Sequence, residues 1–558
     1  MEAAPTPPVL RVDGYTLDYA TPAGPVHALE DITLEIGAGR TLGLVGESGS
    51  GKSSLAWAIM RYLPPNAREN AGGLILQGEN LRTMTPHEIL QMRGRRASMV
   101  FQDPSTSLNP AMRLGEQIAE VLVRHRGLDR AAALAEGEAA LARTGITKPA
   151  DMMRRYPHEA SGGEKQRVTI ATAFACQPAL IVFDEPTTAL DIITAQGILR
   201  LFRELQEETG VSALYISHDL ALVSRIAHEV AVIHHGRIVE TDTPERIFRA
   251  PREAYTRDLI AAVPRPDRWL GVAPPPPEAP ALLSAEGVNV LYGAPSPLAR
   301  RLGFRGRPHQ GAHEVAFSVR AGELVGLVGE SGSGKSTMAR VLSGLQPFDG
   351  AVRFGERRFT HRRQFDRRYR RAVQIVFQHP DASLNPRQKI GRILSRPLKI
   401  YGLATRAERA ARVRALLERV LLPPDFADRY PHQLSGGEKQ RVAIARAFAA
   451  EPDLVICDEI TAALDVSVQA SVTRLLIDLQ RDTGTACLFI THDLNLVRQL
   501  AHRVVVMQHG AVVDGFPTAE AEAPGRAHYT RTLLDAVPEP ADATADADAA
   551  PAARKELP

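Results

Sequence analysis

Short apolar runs recur along this chain, each closing on a small or charged residue. Thr41-Leu-Gly-Leu-Val45 leads into a glycine-rich stretch, and Ser54-Leu-Ala-Trp-Ala-Ile-Met60 beyond it has helical character. Runs this short and this apolar predict buried strands. Ala179-Leu-Ile-Val-Phe183 ends in Asp184-Glu185, and Ala213-Leu-Tyr-Ile-Ser217 ends at His218. Later come Glu323-Leu-Val-Gly-Leu-Val328, Asp453-Leu-Val-Ile-Cys457 before Asp458-Glu459, and Ala486-Cys-Leu-Phe-Ile-Thr491 before His492. Buried strands alternating with helical segments predict an α/β fold. No apolar run approaches the roughly 18 residues that a membrane-spanning helix needs.

The second set of strands repeats the first. Gly46-Glu-Ser-Gly-Ser-Gly-Lys-Ser53 recurs as Gly329-Glu-Ser-Gly-Ser-Gly-Lys-Ser336, and Ser161-Gly-Gly-Glu-Lys-Gln-Arg-Val168 as Ser435-Gly-Gly-Glu-Lys-Gln-Arg-Val442. Ser161, Asp184 and His218 all map forward by 274 residues, Gln102 by 276 and Lys52 by 283. Each repeat is thus a whole domain, not a solenoid unit. The expected division is a first domain over 1–265, a linker over 266–281, a second domain over 282–536 and a disordered tail over 537–558. The linker is proline-rich and predicts a stiff, extended connection. Residues 299–308 are arginine-rich, lack a first-half counterpart and read as a loop insertion.

Composition narrows the function classes. Of 558 residues, 44% are apolar and 23% charged, and 67 Lys+Arg stand against 64 Asp+Glu, leaving +3. That balance makes no case for a dedicated nucleic-acid binder. The start has neither a basic n-region nor an apolar core, so the expectation is a chain without a signal peptide that stays in the cytoplasm. The three cysteines, Cys176, Cys457 and Cys487, form no CxxC pair and are expected to be buried. They exclude a disulfide framework and any four-cysteine zinc or iron–sulfur site within one chain. Only eight of the 67 basic residues are lysine, so a motif that demands Lys is hard to meet by accident.

The repeated GxxxxGKS is such a motif. Its glycines let backbone N–H groups curl around phosphate oxygens, and the following helix adds its positive dipole end. Gly46, Ser48, Gly49, Gly51, Lys52, Ser53 and Ser54, with Gly329, Ser331, Gly332, Gly334, Lys335, Ser336 and Thr337, are the candidate nucleotide-binding groups. Lys52 and Lys335 would reach the β/γ-phosphates, and the Ser53 and Ser336 hydroxyls would bind Mg²⁺. A parallel strand delivers its last side chains to the sheet edge where ligands bind. Asp184 and Asp458 would there hold Mg²⁺, while Glu185 and Glu459 would orient or deprotonate water. Beside a P-loop, these roles outweigh the alternative of plain helix caps.

With these motifs in place, residues 10–265 and 282–535 resemble two ATP-binding cassette (ABC) ATPase domains fused in tandem. Ala160-Ser-Gly-Gly-Glu164 and Leu434-Ser-Gly-Gly-Glu438 resemble the family signature. The resemblance implies two P-loop NTPase domains. Each would have a RecA-like α/β core, an antiparallel β subdomain and an α-helical signature subdomain. It implies that Ser161, Gly162, Gly163, Ser435, Gly436 and Gly437 close on ATP held by the opposite half, so the halves pair within one chain. Gln102 and Gln378 resemble the Q-loop glutamine, which touches Mg²⁺ and water. His218 and His492, each 33 residues after its glutamate, resemble the switch histidine, and Leu190-Asp191 and Leu464-Asp465 resemble the D-loop. Tyr19 and Tyr292 occupy the place of the adenine-stacking aromatic; core packing is the other role open to them. The departures are Ala160 for Leu, Thr172 where the second half has Arg446, and Ile460 for Pro. Both sites are expected to hydrolyse ATP, the one pairing Lys335 with Ser161 more slowly.

Phe101-Gln-Asp-Pro-Ser-Thr-Ser-Leu-Asn-Pro110, its repeat at 377–386 and the ends Pro251-Arg-Glu-Ala-Tyr-Thr-Arg-Asp-Leu259 and His528-Tyr-Thr-Arg-Thr-Leu-Leu534 resemble the dipeptide/oligopeptide/nickel importer ATPases. The tandem layout is similar to the fused members of that group, such as those of glutathione and Yej-type peptide importers. The resemblance implies a peripheral subunit on the cytoplasmic face of the inner membrane. It would drive two separate transmembrane permeases fed by an extracytoplasmic solute-binding protein. The rival is a soluble tandem ABC protein acting on nucleic acid or ribosomes. Nine arginines over 353–371 are its support, against a solvated basic face as the expected reading.

Overall fold

Every residue of Thr41–Val45, Leu180–Asp184 and Ser212–Ser217 is buried, as is every residue of Leu324–Val328, Leu454–Asp458 and Ala486–Ile490. Only the middle of a sheet covered on both faces buries a strand this completely. The computed structural model describes residues 7–22, 24–188, 190–266, 268–276, 278–293, 309–462 and 464–537. In it these runs form the centres of two six-stranded sheets. The first orders its strands Arg237–Asp242, Glu229–His234, Thr41–Val45, Ser212–Ser217, Leu180–Asp184 and Ala97–Val100. All neighbours are parallel except Arg237–Asp242, which runs antiparallel at the edge. The second sheet repeats this order, from Val373–Val376 through Leu454–Asp458, Ala486–Ile490, Leu324–Val328 and Arg503–Gln508 to the antiparallel Ala511–Pro517.

The register puts the chemistry at one edge. Val45 pairs with Ser217 and Asp184 with Ile216, so the P-loop, the acidic pair and His218 leave their strands side by side. Glycine permits the approach that this needs. A Cβ on Gly43 would lie 2.2 Å from the Val223 Cγ1 atom, and one on Gly326 2.2 Å from the Val497 Cγ1 atom. The helices that follow the two histidines therefore rest directly on the strands that feed the P-loops.

A four-stranded antiparallel sheet accompanies each core, ordered Gly24–Ile36, Leu10–Thr21, Ala67–Leu76, Glu79–Asn80 in the first half and His309–Arg320, Ala281–Tyr292, Asp349–Phe354, Arg357–Phe359 in the second. The remaining layer is helical. Leu114–Arg126, Arg130–Arg143 and Gly162–Phe174 share one apolar cluster in the first half; Ile390–Tyr401, Arg409–Arg419 and Gly436–Phe448 do the same in the second.

The connection between the halves is not the free strut that its prolines suggest. Leu270 and Val272 pack on the second core, the Leu270 N–H donates to the Gln499 carbonyl at 2.8 Å, and His502 Nε2 meets the Val272 carbonyl at 2.9 Å. Proline removes donors, but apolar residues between prolines still find a face to bury against. Cys457 and Cys487 are buried, whereas Cys176 is only partly so. The arginine-rich stretch 299–308 and the tail from Pro538 lie outside the described residues.

Candidate functional site

Each P-loop turns on glycine and closes on lysine. Gly51 at φ 110° and Gly334 at φ 102° take the left-handed conformation immediately before the helices Lys52–Ile59 and Lys335–Leu342, which a side chain would strain. Lys52 Nζ donates to the Gly46 and Glu47 carbonyls at 2.7 and 2.8 Å, and Lys335 Nζ to those of Gly329 and Glu330 at the same distances. Burial pushes both ammonium groups below their ordinary range, nearby carboxylates opposing it. Gly46 and Gly329 serve packing: a Cβ on either would stand 2.2 Å from the backbone oxygen of Ile233 or Met507.

Below the loops, Ser53 Oγ donates to Asp184 Oδ1 at 3.0 Å and Ser336 Oγ to Asp458 Oδ1 at 2.9 Å. Burial raises both aspartates above the usual carboxylate range. A buried carboxylate short of countercharge beside a hydroxyl is an oxygen donor pair that suits a hard cation such as Mg²⁺. Among the described residues no cluster of three or more His, Cys, Asp or Glu side chains competes for a metal.

Glu185 and Glu459 both sit at φ 49°. Left-handed backbone is costly for a residue with a side chain and is held only where the surroundings impose it. Here the Glu185 N–H is tied to the Ile216 carbonyl and the Glu459 N–H to that of Ile490. The strain turns each carboxylate off the strand toward the loop of its own half. Glu185 Oε2 accepts from Gln102 Nε2 at 3.0 Å and Thr188 Oγ1 at 3.0 Å, and lies 3.2 Å from His218 Nδ1. Burial pushes Glu185 up, but His218 and Thr188 outweigh it and hold the carboxyl below its usual range. Burial likewise pushes His218 down, and Glu185 more than restores it, leaving the imidazole above its ordinary value. Glu459 is held differently, 3.8 Å from Lys335 Nζ. At the place of Thr188 the second half has Ala462, which offers no donor.

The two halves meet across one cavity of about 1070 Å³. Both P-loops line it, through Ser48, Gly49 and Gly51 to Ser54 and through Ser331, Gly332 and Gly334 to Thr337, with Gln102, Gln378, Glu185, Glu459, His218 and His492. Tyr19 and Tyr292 line it too, their hydroxyls on Ser54 Oγ at 3.2 Å and Thr337 Oγ1 at 3.1 Å. Each ring also packs on the core of its own half.

The contacts across the cavity are head-to-tail. Asp465 of the second half accepts the Ser48 N–H of the first P-loop, and the Asp191 charge of the first half acts on Lys335 of the second. Ser467 Oγ donates to the Glu47 carboxylate of the first P-loop. The signature residues Ser161, Gly162, Gly163, Ser435, Gly436 and Gly437 do not line the cavity. Ser161 and Ser435 are exposed N-caps of Gly162–Phe174 and Gly436–Phe448, each in a capping box with Glu164 or Glu438. They stand one step behind the D-loops: a Cβ on Gly163 would meet Thr194 Cγ2 at 2.7 Å, and one on Gly437 would meet Val468 Cγ1 at 2.6 Å.

Two further contacts were not read from the sequence. The Glu47 N–H donates to the Tyr255 hydroxyl at 3.2 Å, and the Glu330 N–H to that of Tyr529 at 2.8 Å. The available signal was that both tyrosines recur 274 residues apart in the two domain ends.

A family model described as "ABC transporter" matches residues 29–188 and 312–462, and one described as "Oligopeptide/dipeptide transporter, C-terminal region" matches residues 239–287. The chain is 40% identical over 562 residues to the glutathione import ATP-binding protein GsiA of Escherichia coli strain K12, covering 95% of this chain and 89% of that protein. The same figures hold for GsiA of Shigella sonnei strain Ss046. Among solved structures, cbiO1 from Clostridium perfringens, part of the ABC transporter complex cbiONQ, is similar at 27% identity, with 44% of this chain and 91% of that chain covered and a TM-score of 0.38.

Proposed function

Because this chain belongs to the ABC transporter family of ATP-binding proteins, we propose that its two halves hydrolyse ATP at their seam to drive import of a peptide-like solute. The observation that carries this reading is the shared cavity, where each P-loop is met by an aspartate from the opposite half. The domain limits 1–265, 266–281, 282–536 and 537–558 are part of the same proposal. The cargo class follows from the matched C-terminal region and from relatives named for glutathione import.

The P-loop backbone N–H groups other than those of Glu47 and Glu330 bind the phosphates, with Lys52 and Lys335 beside them. Ser53, Gln102 and Asp184 would hold Mg²⁺ in the first site, and Ser336, Gln378 and Asp458 in the second; the cation, when bound, offsets phosphate charge. Glu185 and Glu459 orient water for attack on the γ-phosphorus and take up its proton. His218 and His492 hydrogen-bond the γ-phosphate, so in the first site phosphate competes with Glu185 for His218. The signature tips Ser161 and Ser435 complete the opposite sites when the halves close. The site of Lys335 and Ser161 is the slower one, since Glu459 lacks the donors that fix Glu185.

No helix among the described residues is long and apolar enough to cross a membrane, and transport requires a path through one. The partners are two transmembrane permeases, and through them a solute-binding protein, with this chain peripheral on the cytoplasmic face of the inner membrane. Four of the nine arginines that would support a nucleic-acid role are ion-paired within the chain: Arg353 and Arg358 with Glu286, Arg357 with Asp366, and Arg371 with Glu451. The test is phosphate release by Glu185→Gln, Glu459→Gln and the double variant. Loss of general-base action lowers turnover by about 10²–10⁴-fold, and near-normal release by the double variant refutes the assignment.

A further inference from the structure

The segment that ends each half touches its P-loop directly. In the first half, the buried Glu240 carboxylate accepts the N–H groups of Arg252 and Glu253 at 2.8 and 3.2 Å. That fixes the start of the helix Ala254–Ala262. Tyr255, its second residue, stacks on His234 with ring centroids 3.8 Å apart and planes 11° off parallel. Its hydroxyl accepts the Glu47 N–H at 3.2 Å. The carbonyl of that same Glu47 receives Lys52 Nζ.

The second half builds the same strut from other atoms. Asp514 accepts the Ala527 N–H at 3.0 Å and lies 3.7 Å from Arg526. The helix His528–Asp535 follows, and the Tyr529 hydroxyl accepts the Glu330 N–H at 2.8 Å. The His234 stack is replaced by Gln508 at the equivalent place, so the ring's surroundings change while the hydroxyl's partner does not. A side chain kept only for packing has no reason to keep its polar end on one backbone amide while its ring neighbours differ. Burial raises both phenols, that of Tyr255 to about 12, so each hydroxyl stays protonated and neutral.

We infer that Tyr255 and Tyr529 are positioning residues for ATP binding, holding the Glu47 and Glu330 amides so that the rest of each loop presents its N–H groups to phosphate. The consequence is that the C-terminal segment of each half sets the nucleotide affinity of its own P-loop. This rests on the ATPase reading above.

The experiment uses the full chain with both catalytic glutamates changed to Gln, so that binding is read without turnover. MgATP affinity is measured by calorimetry for Tyr255→Phe and Tyr529→Phe, which keep the ring and remove only the hydroxyl. One hydrogen bond of ordinary strength corresponds to about two- to tenfold weaker binding, with the melting temperature unchanged. In the chain with its glutamates intact, KM for ATP rises by the same factor and kcat holds. Amide exchange of the peptide carrying Glu47 or Glu330 accelerates in the matching variant. Unchanged affinity and unchanged exchange in both Phe variants overturn the inference and leave the rings as packing. No MgATP binding by the parent chain at all refutes the ATPase reading instead.

Discussion

Gly43→Ala tests whether the strand feeding the first P-loop is locked against the helix after His218. The new Cβ would lie 2.2 Å from Val223 Cγ1 and 3.1 Å from the Ala227 Cβ. Carbon atoms rest at about 3.5–4.0 Å, so the first contact is more than 1 Å too close. The obstructing atom is a methyl of a β-branched, fully buried residue, which has one strongly preferred rotamer in a helix. Relief must come from moving strand or helix, at about 1–3 kcal/mol. For a half of this size that is about 3–10 °C in melting temperature. Moving the helix Leu220–Val223 also carries His218 away from Glu185, so ATP turnover falls as well.

Trp57 lies in the helix after the first P-loop and its fluorescence follows unfolding of that half, with Trp269 changed to Phe to silence the linker. Val223→Ala removes the obstructing methyl. If the clash is the cause, the double variant is less destabilised than the sum of the singles, by at least about 1 kcal/mol. Gly326→Ala with Val497→Ala is the same experiment in the second half, where the Cβ would again stand 2.2 Å from a valine methyl. Strictly additive losses, or a Gly43→Ala chain as stable as its parent, refute the reasoning.

Two pH-dependent outcomes follow from the same geometry. In Glu185→Gln the His218 imidazole loses the carboxylate that raises it, and its pKa, followed by proton NMR, falls from its raised position. Because the folded value exceeds the ordinary 6.5, this ion pair's contribution is full below that pH and disappears as pH climbs through the folded pKa; an unmoved titration contradicts the pairing. Glu69 accepts from Arg61 at 2.6 and 2.8 Å and from Tyr15 at 2.8 Å, and although burial pushes it up, these partners hold it below 4.5. Its contribution is therefore present above pH 4.5 and is lost as pH falls through the depressed folded value. Glu69→Gln costs about 1.5–3 kcal/mol at pH 7, and denaturation midpoints of variant and parent converge in acid. A gap that stays constant with pH counts against the ion pair.

What the sequence makes legible here is whatever is local. The P-loops, the acidic pairs and the histidines each follow a short apolar run, and the pleat and register of a parallel sheet place them without further information. The contacts that escape are long-range: Tyr255 to Glu47 spans 208 residues and Ser467 to Glu47 spans 420. Nothing in the periodicity of either segment marks which backbone amide a tyrosine hydroxyl will meet. The linker misleads for a related reason. Its prolines report the donors that are missing, whereas its path is set by Leu270 and Val272 and by the face they find. The signature serines stand on helix tips, as their local pattern indicates, but outside the cavity that the P-loops line, and no local pattern encodes that separation.

The inequality of the two sites arises from very few positions. Thr188 donates to Glu185, and its counterpart Ala462 cannot donate to Glu459. Ser467 reaches the Glu47 carboxylate across the seam, and its counterpart Ile193 packs against the second core instead of offering Glu330 a hydroxyl. Both differences act in one direction: the first P-loop and its carboxylate gain a hydroxyl partner that the equivalent residue of the second half cannot supply. A carboxylate held by three donors is already oriented before nucleotide arrives, and pre-set orientation is the part of catalysis that positioning supplies. Glu459 instead faces Lys335, 3.8 Å away. Fusion into one chain is what lets such differences persist, because each half always faces the same partner and the two sites can diverge independently.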